Sequence, residues 1–293
     1  MFSIPVKVLT ISGGGGDLPL MTWDVDNAWY AAKYTAWADY FWIFSNLNTT
    51  LETVSGHYVK AKGEYSIVPD RWYLEMKLNV IAGQYGAVGV IPNSTSLTDA
   101  SIYTSCWHLH QMFNGSLDIN GYTWDSSYDN PVVYASNGST YRILSLDGIN
   151  PITTLATNDI VQLAGDRSDG TFWIGLNGNW LYWATGVYNE GLEIYELEWS
   201  LLGDPENNTA PVYADLPSSI NPFFISSDDG SGGAIAEKVT LLTHTDDLVY
   251  TPPTGFSVVS GDAETTYLNV LRDRNLMPIS QPTDHVMMGA LGL

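Results

Sequence analysis

Three glutamates in the stretch LEIYELEW are spaced so that two of them could act as a catalytic pair. If the stretch is a strand, Glu196 and Glu198 share a face with Ile194, whereas Glu193 points to the other face. Retaining glycoside hydrolysis needs two carboxyl groups about 5–5.5 Å apart, one as acid and one as nucleophile. An exposed acidic strand is the simpler interpretation and the one we expect, so no catalytic residue is predicted.

Two further groups of residues have the chemistry of metal ligands. Cys106, His108 and His110 in CWHLH would line one face of a strand, and thiolates and imidazoles bind zinc. A fourth ligand is not evident nearby, and a lone cysteine is as readily a core residue. Asp228 and Asp229 in SSDDGSGG could hold calcium, although the spaced ligands of a dedicated calcium loop are missing. We therefore predict no metal site and no cofactor.

Aromatic side chains in or beside predicted loops could bind sugars. Their rings can stack on a sugar, and neighbouring Asp and Asn side chains can hold its hydroxyl groups. The alternative, which we favour, is that most of them fill the core or a protein interface. The candidates for binding a glycan or a partner are Tyr122, Trp124, Tyr128, Trp180, Tyr182 and Trp183.

The two ends of the chain suggest assembly. Residues 1–12 resemble a short strand, and SGGGGD after it is a flexible break, so residues 1–20 would be an arm that adds to a neighbour's sheet edge. A second arm over residues 260–293 ends in the apolar VMMGALGL, which its own domain cannot easily bury. A tail or a strap on the domain's own surface is the alternative. The assembly candidates are Val286, Met287, Met288, Leu291 and Leu293.

Composition limits the class of protein. The 293 residues include 11 Trp, 18 Tyr and 27 Gly, which favours strands and turns. The formal net charge of −21 repels phosphate, so nucleic acid is not an expected partner. The single cysteine, Cys106, allows no disulfide within the chain. No apolar run approaches the roughly 18 residues of a membrane span, and the start is a poor match to a signal peptide, so we expect no membrane insertion.

Short strands with turns between them are predicted from residue 46 onward. In RWYLEMKLNV the side chains of Trp72, Leu74, Met76 and Leu78 would share one face. YGAVGVIP predicts a buried strand that stops at Pro92. Strands every 8–12 residues are typical of a β-sandwich or barrel.

The stretch DIVQLAGDRSDGTFWIGLNGNW predicts a meander of antiparallel strands. Asp-Gly and Asn-Gly supply the positive φ that tight hairpin turns need, and WLYWAT would be the third strand. GYTWDSSYDN is predicted to be a loop, and SIYTSCWHLHQMF a strand or a helix. Residues 21–45 form an aromatic-rich lead-in, which fits either one helix or two strands.

Three motifs taken together resemble a known family. RWYLEMKLNVIAGQYGAVGVI is similar to the strand pair K-W-Y-x-E-V … x-x-G-I of SPRY domains, and NDIVQLAGDRSDGTFWIGLNGNWL is similar to their hairpin D-V-I-G-x-A-x-D-x-x-x-G-x-I-x-F-x-x-N-G-x-W. INPFFISSDDGSGG and VYTPPTGFSVV resemble the ending P-x-x-S … Y-x-P-P-x-G-F, which is typical of SPRY-like domains in tailed-bacteriophage virion proteins. The resemblance covers residues 46–259.

The resemblance implies an all-β, SPRY/concanavalin A-like antiparallel β-sandwich with N- and C-terminal extensions, whose loops bind proteins or sugars, usually without catalysis. The chain departs from the family pattern in a long insertion after NGNW and in FFISSDD, which lacks the usual proline. The hallmark of glucanases with the same fold resembles Glu-x-Asp-x-x-Glu or Glu-x-Asp-x-Glu on one strand. LEIYELEW lacks the middle acid of that motif.

The resemblance implies a bacteriophage virion structural protein that is made in the host cytoplasm and lies on the exterior of the particle, as a capsid decoration, head-fibre or tail-associated component. It would bind other virion proteins and form a homo-oligomer, and it could bind a host surface glycan. The alternatives are a carbohydrate-binding lectin module and a glucanase-like polysaccharide depolymerase that uses Glu196 and Glu198.

Overall fold

The computed structural model describes part of the chain, within one compact unit over residues 20–261. The described residues are 21–24, 29–32, 42–45, 50–53, 57–64, 66–67, 69–80, 86–97, 105–112, 115–126, 131–226, 237–243 and 245–259. The two predicted arms, with the assembly candidates of residues 286–293, lie outside them, as do Tyr128, Asp228 and Asp229.

Nineteen β-strands are present among the described residues. In chain order they are β1 (Trp29–Ala32), β2 (Trp42–Ser45), β3 (Thr50–Thr53), β4 (His57–Lys62), β5 (Arg71–Val80), β6 (Ala87–Pro92), β7 (Trp107–Met112), β8 (Gly115–Ile119), β9 (Tyr122–Ser126), β10 (Val132–Ser136), β11 (Tyr141–Ser145), β12 (Ile160–Asp166), β13 (Thr171–Leu176), β14 (Asn179–Trp180), β15 (Tyr182–Asn189), β16 (Ile194–Trp199), β17 (Ile220–Ile225), β18 (Lys238–Leu242) and β19 (Ser257–Val258). In this part of the chain no helix is long and apolar enough to cross a bilayer.

The strands form two large sheets that pack face to face. One sheet has nine strands in the order β1-β4-β17-β6-β7-β10-β11-β15-β16, and the other has eight, in the order β14-β13-β12-β5-β18-β3-β2 with β19 parallel beside β5. A single buried cluster contains Trp72 and Leu74 from the second sheet and Val90, Leu109 and Phe224 from the first. The prediction of an all-β sandwich is therefore confirmed. Strands β8 and β9 pair with each other as a separate hairpin.

The alternation predicted for β5 is confirmed on its core side. Trp72, Leu74, Met76 and Leu78 are each at most 2% exposed and lie in the buried cluster between the sheets. The opposite side of β5 is also covered, because Glu75 is completely buried there. The strand over AVGVIP is buried and ends at Pro92, as predicted.

The predicted meander forms, but its third strand differs. β12 and β13 pair over their full lengths, and Gly170 in the turn has a φ of 70°. Asn177 and Gly178 both have positive φ, 52° and 85°, as a tight hairpin turn needs. Only Asn179–Trp180 continues this sheet. The prediction that WLYWAT forms the third strand is thus wrong, because the chain passes to the nine-stranded sheet at Leu181 and continues there as β15.

Two other predicted elements are changed by long-range pairing. The predicted loop GYTWDSSYDN begins with a strand, since Tyr122–Ser126 pairs with β8. In the lead-in, Trp29–Ala32 and Trp42–Ser45 are strands that pair with β4 and β3, so the two-strand alternative holds for these residues and the helix does not. The stretch containing CWHLHQM is a strand from Trp107 onward.

Candidate interaction surface

A two-stranded hairpin, here called the cap hairpin, spans residues 115–126. Its turn is Asn120–Gly121, and both residues have positive φ, 52° and 91°. This is the Asn-Gly geometry that matches the twist of two antiparallel strands. The Gly121 N–H donates a hydrogen bond to Asp118 Oδ1 at 2.7 Å, which fixes the turn further. The sequence therefore specifies this hairpin locally.

The cap hairpin covers part of the outer face of the nine-stranded sheet. Leu117 and Ile119 are buried, and Tyr122 and Trp124 are half-buried beside them. They share an apolar cluster with Met112, Val132, Tyr134, Tyr141, Ile143, Leu197 and Trp199. The alternation of apolar and polar residues along both strands thus points one side of the hairpin at the sheet.

The cap hairpin lies against a second hairpin at the edge of the nine-stranded sheet. This edge hairpin spans residues 182–199 and consists of β15, a turn and β16. A Cβ on Gly186 of β15 would lie 2.1 Å from the carbonyl oxygen of Ile119, so the two backbones touch there. A Cβ on Gly121 would lie 2.5 Å from the ring of Tyr195. Each hairpin therefore needs a glycine where it meets the other.

Exposed apolar side chains are concentrated in the edge hairpin and in the residues that follow it. Among the described residues eleven large hydrophobic side chains are exposed, and seven of them lie between residues 187 and 202. The rings of Tyr188 and Tyr195 are 5.1 Å apart, centroid to centroid, and these residues are 49% and 43% exposed. The other five are Val187, Leu192, Ile194, Leu201 and Leu202. A concentration of this kind is typical of a protein-binding site.

Replacing Gly186 by alanine should loosen the cap hairpin. The added methyl group would collide with the Ile119 carbonyl, and overpacking of this kind costs about 1–3 kcal/mol of unfolding free energy. Urea denaturation would measure the loss, and increased amide hydrogen exchange in residues 115–126 would locate it. Gly191→Ala in the same hairpin is the control, because its Cβ would meet only Asn189 Oδ1, at 3.4 Å. Equal stability of the two variants would contradict the contact.

The aromatic candidates lie on different parts of the sandwich. Tyr122 and Trp124 lie together on the side of the cap hairpin that faces the sheet, with ring centroids 6.4 Å apart. Trp183 instead packs against the main core, where the Arg142 guanidinium lies 3.7 Å from the centroid of its ring. The Trp183 Nε1–H donates to the Ala210 carbonyl at 3.4 Å. Trp183 is thus held by internal contacts.

Trp180 and Tyr182 are separated by the passage from one sheet to the other. Trp180 lies on the outer face of the eight-stranded sheet, where its ring meets Tyr73 edge-on at 6.3 Å. Tyr182 is half-buried, and its ring lies beside Gly148, whose Cβ would be 3.0 Å from it. Of the five candidates within the described residues, Tyr122 and Trp124 alone share one cluster. Glycan or partner binding by any of the candidates stays a prediction.

The three glutamates considered for catalysis lie on or beside the edge hairpin. β16 begins at Ile194, so Glu193 belongs to the turn, where its φ is 59°. Glu196 and Glu198 are exposed on one face of β16. The Asn189 side-chain amide donates to Glu196 Oε2 at 2.7 Å. These carboxylates are open to water rather than enclosed by other side chains.

Cys106, His108 and His110 lie buried on the outer face of the nine-stranded sheet. His108 Nδ1 is 3.0 Å from Cys106 Sγ, and His110 Nδ1 is 2.8 Å from the Tyr134 hydroxyl. Burial lowers the pKa of His108 to about 4, and burial together with His108 lowers the pKa of His110 to about 3. Burial also raises the pKa of the Cys106 thiol.

This arrangement keeps the thiol protonated and both imidazoles neutral near pH 7. A protonated, buried thiol is a poor nucleophile and a poor metal ligand. Within the described ranges no three His, Cys, Asp or Glu side chains are grouped so that they could hold a metal ion.

No protein-family model matches the chain, and no curated protein matches it in sequence. In structure it is similar to the SPRY domain of human HERC1, with a TM-score of 0.38 and 11% identity over 75% of this chain and 96% of that one. It is also similar to the PSpry domain of TRIM65, with a TM-score of 0.37 and 11% identity over 76% of this chain and 91% of that one. This similarity concerns the fold alone.

Proposed function

We propose that this chain is a structural binding protein that docks on other proteins through the edge hairpin. The observation that carries the proposal is the concentration of exposed apolar side chains between residues 187 and 202. Such side chains are stabilised when a partner covers them, and aromatic residues such as Tyr188 and Tyr195 are enriched at the centres of interfaces. Gly121 and Gly186 allow the cap hairpin and the edge hairpin to pack closely, and this packing fixes the position of the surface.

The surroundings of the candidate catalytic groups favour binding over turnover. A general acid in a glycosidase needs a carboxyl group whose pKa is raised by a dry environment, and Glu196 and Glu198 lie on an exposed strand. A cysteine nucleophile needs a lowered pKa, whereas burial raises that of Cys106. Neither group has the environment that its chemistry would require.

The proposed place of action is the exterior of a bacteriophage virion. This part of the proposal rests on the motifs RWYLEMKLNV, DRSDGTFWIGLNGNW and VYTPPTGF, which resemble those of SPRY-like virion domains. The chain would serve there as a capsid decoration, head-fibre or tail-associated component, as a homo-oligomer in contact with other virion proteins. The free lectin and the polysaccharide depolymerase are the competing functions.

The proposal predicts that the chain is part of the particle. Particles purified on a density gradient should carry it at a fixed copy number, measured by quantitative mass spectrometry. A Tyr188→Ser/Tyr195→Ser variant should fold but be depleted from particles, because it lacks the exposed ring pair. A Val80→Ser variant, which changes an exposed apolar residue elsewhere, is the control.

The competing functions give different results. A chain found only in the soluble fraction would contradict the proposal and favour a free lectin. Release of reducing sugar from host polysaccharide, if it were lost in Glu196→Gln, would establish the depolymerase instead.

A further inference from the structure

The free edge of β16 has the backbone groups that a further strand would need. No described strand pairs with this edge. The Ser200 N–H donates to the Trp183 carbonyl at 2.7 Å, so the backbone at Ser200 points toward β15. Direction alternates along an antiparallel strand, and the N–H and C=O groups of Tyr195, Leu197 and Trp199 therefore point away from β15. They form a row that an added strand can bind.

The side chains of β16 differ in chemistry between its two faces. Tyr195, Leu197 and Trp199 lie on the face toward the cap hairpin, and all three are apolar or aromatic. Glu196 and Glu198 lie on the opposite face and are exposed. Residues directly opposite each other on neighbouring strands share a face, so a strand added here would meet apolar and acidic side chains in turn.

Acidic groups dominate the surroundings of this edge. The sequence has no Lys, Arg or His from Ser168 through Glu237, whereas it has 11 Asp and Glu in that range, Glu237 included. The cap hairpin adds Asp118 and Asp125 and has no basic residue. Arg142, on the strand next to β15, is engaged with the ring of Trp183 and the carbonyl of Val212. Within the described residues neither Glu196 nor Glu198 forms an ion pair.

We propose that the free edge of β16 takes up an extended segment of a partner chain in which basic and apolar side chains alternate. This inference rests on the proposed binding function and names the chemistry of the partner. The added strand would be held by backbone hydrogen bonds, with its lysines or arginines opposite Glu196 and Glu198 and its apolar residues beside Tyr195 and Leu197.

The β16 strand of a second copy fits the same edge poorly. Two copies of β16 paired antiparallel would place their Glu196 and Glu198 side chains opposite one another, and like charges in that position are destabilising. The net charge of −21 on each chain adds to the repulsion. Charge complementarity thus selects a basic partner strand.

A synthetic eight-residue peptide that alternates lysine and valine tests the inference. Titrated into the full-length chain and followed by calorimetry, it should bind, and less tightly at high salt. A peptide with glutamate in place of lysine should not bind. A peptide of the same composition with its lysines in one block should bind at least about tenfold more weakly, because only alternation matches both faces of the strand.

Backbone methylation separates strand addition from simple charge attraction. N-methylation of one alternate set of peptide residues should abolish binding, whereas methylation of the other set should leave it nearly unchanged, because only one set of N–H groups faces β16. Equal binding by both methylated peptides would overturn the inference.

Variants of the protein locate the site. Glu196→Gln/Glu198→Gln should weaken peptide binding by about tenfold, since two exposed ion pairs are lost. Glu190→Gln/Glu193→Gln is the matched control, because it changes the net charge equally but lies in the turn. Equal weakening by both pairs would mean that the peptide is attracted by overall charge, which contradicts the inference.

The remaining outcomes distinguish the inference from the function on which it rests. Particles that carry the chain, combined with a chain that binds no alternating peptide, would reject strand addition but keep the binding function. Peptide binding without particle association would do the reverse. A full-length chain that dimerises through β16 and is dissociated by the peptide would identify a second copy as the occupant and overturn the basic partner.

Discussion

Lowering the pH from 7 to 5 should remove about 4 kcal/mol of folding stability through His108 and His110 alone. Both imidazoles are buried, and their pKa values lie at about 4 and about 3 in the folded chain, against 6.5 when unfolded. At pH 5 the unfolded chain binds protons that the folded chain excludes. The free energy of unfolding falls by about 1.36 kcal/mol per histidine for each pH unit below 6.5. At pH 5 each histidine has therefore lowered it by about 2 kcal/mol.

The direction of this effect distinguishes it from the effect of the acidic surface. Stability from a buried neutral histidine is complete above pH 6.5 and is lost as the pH falls toward the folded pKa. Protonating surface carboxylates acts in the opposite sense, because it relieves the repulsion of a chain with a net charge of −21. Cys106 and Tyr134 are within hydrogen-bond distance of the imidazoles, and Lys60 acts electrostatically on Cys106. None of these loses or gains a proton between pH 7 and 5 at its ordinary pKa.

Urea denaturation from pH 7.5 to 5 would measure this loss. His108→Gln/His110→Gln should be less stable at pH 7.5, because it loses packing, but its stability should depend much less on pH. His57, His244 and His285 remain in both proteins, so their contributions cancel in the comparison. Parallel pH curves for the two proteins would show that the imidazoles are not held neutral by burial.

Replacing Glu75 by alanine should lower the free energy of unfolding by about 3–6 kcal/mol. The carboxyl group of this completely buried residue accepts hydrogen bonds from the Tyr73 hydroxyl at 2.6 Å and from the N–H groups of Val249 and Tyr250 at 2.8 and 2.9 Å. The buried Tyr73 hydroxyl left without its acceptor costs about 1–3 kcal/mol, and the part-buried N–H groups of Val249 and Tyr250 cost less each, because water can reach them. The loss should therefore exceed that of an ordinary surface substitution several-fold.

The Glu75 variant should also release a specific segment. Val249 and Tyr250 belong to VYTPPTGF, whose Phe256 packs edge-on against Trp173 on the outer face of the eight-stranded sheet. Hydrogen exchange at the two amides should therefore rise far more in Glu75→Ala than in the rest of the sheet. Glu75→Gln is the control, because its side-chain oxygen can still accept one of these bonds. An unchanged exchange rate at Val249 and Tyr250 would contradict the anchoring role.

Local patterns were sufficient to predict the parts of the fold in which neighbouring residues determine the structure. Alternation along Trp72–Leu78 predicts the buried side of β5, and Asp169–Gly170 and Asn177–Gly178 predict the two turns of the meander. Asn120–Gly121 is the same turn signal, and apolar residues alternate on both sides of it, so the cap hairpin could also have been found. The second strand of the hairpin lies within GYTWDSSYDN, which was predicted to be a loop with aromatic residues.

The interaction surface could not be predicted in the same way, because it depends on contacts between distant residues. Whether Tyr188 and Tyr195 are exposed depends on β16 being the last strand of its sheet, and sheet order is not visible in strand periodicity. The buried polar groups could not be predicted for the same reason. Glu75 and His108 lie on the outer faces of the two sheets. Alternation along a strand predicts that such faces meet solvent, and only the three-dimensional structure shows that distant segments cover them.

The passage from β14 to β15 through Leu181 has a mechanical consequence. Trp180 and Tyr182 are two residues apart, and successive Cα atoms are about 3.8 Å apart, so their Cα atoms are at most about 7.6 Å from each other. Packed sheets stand about 10 Å apart, so the two layers must converge at this corner. The short connection therefore holds the edge of the eight-stranded sheet at β14 close to β15, so these two edges cannot move apart unless one of their strand pairings breaks.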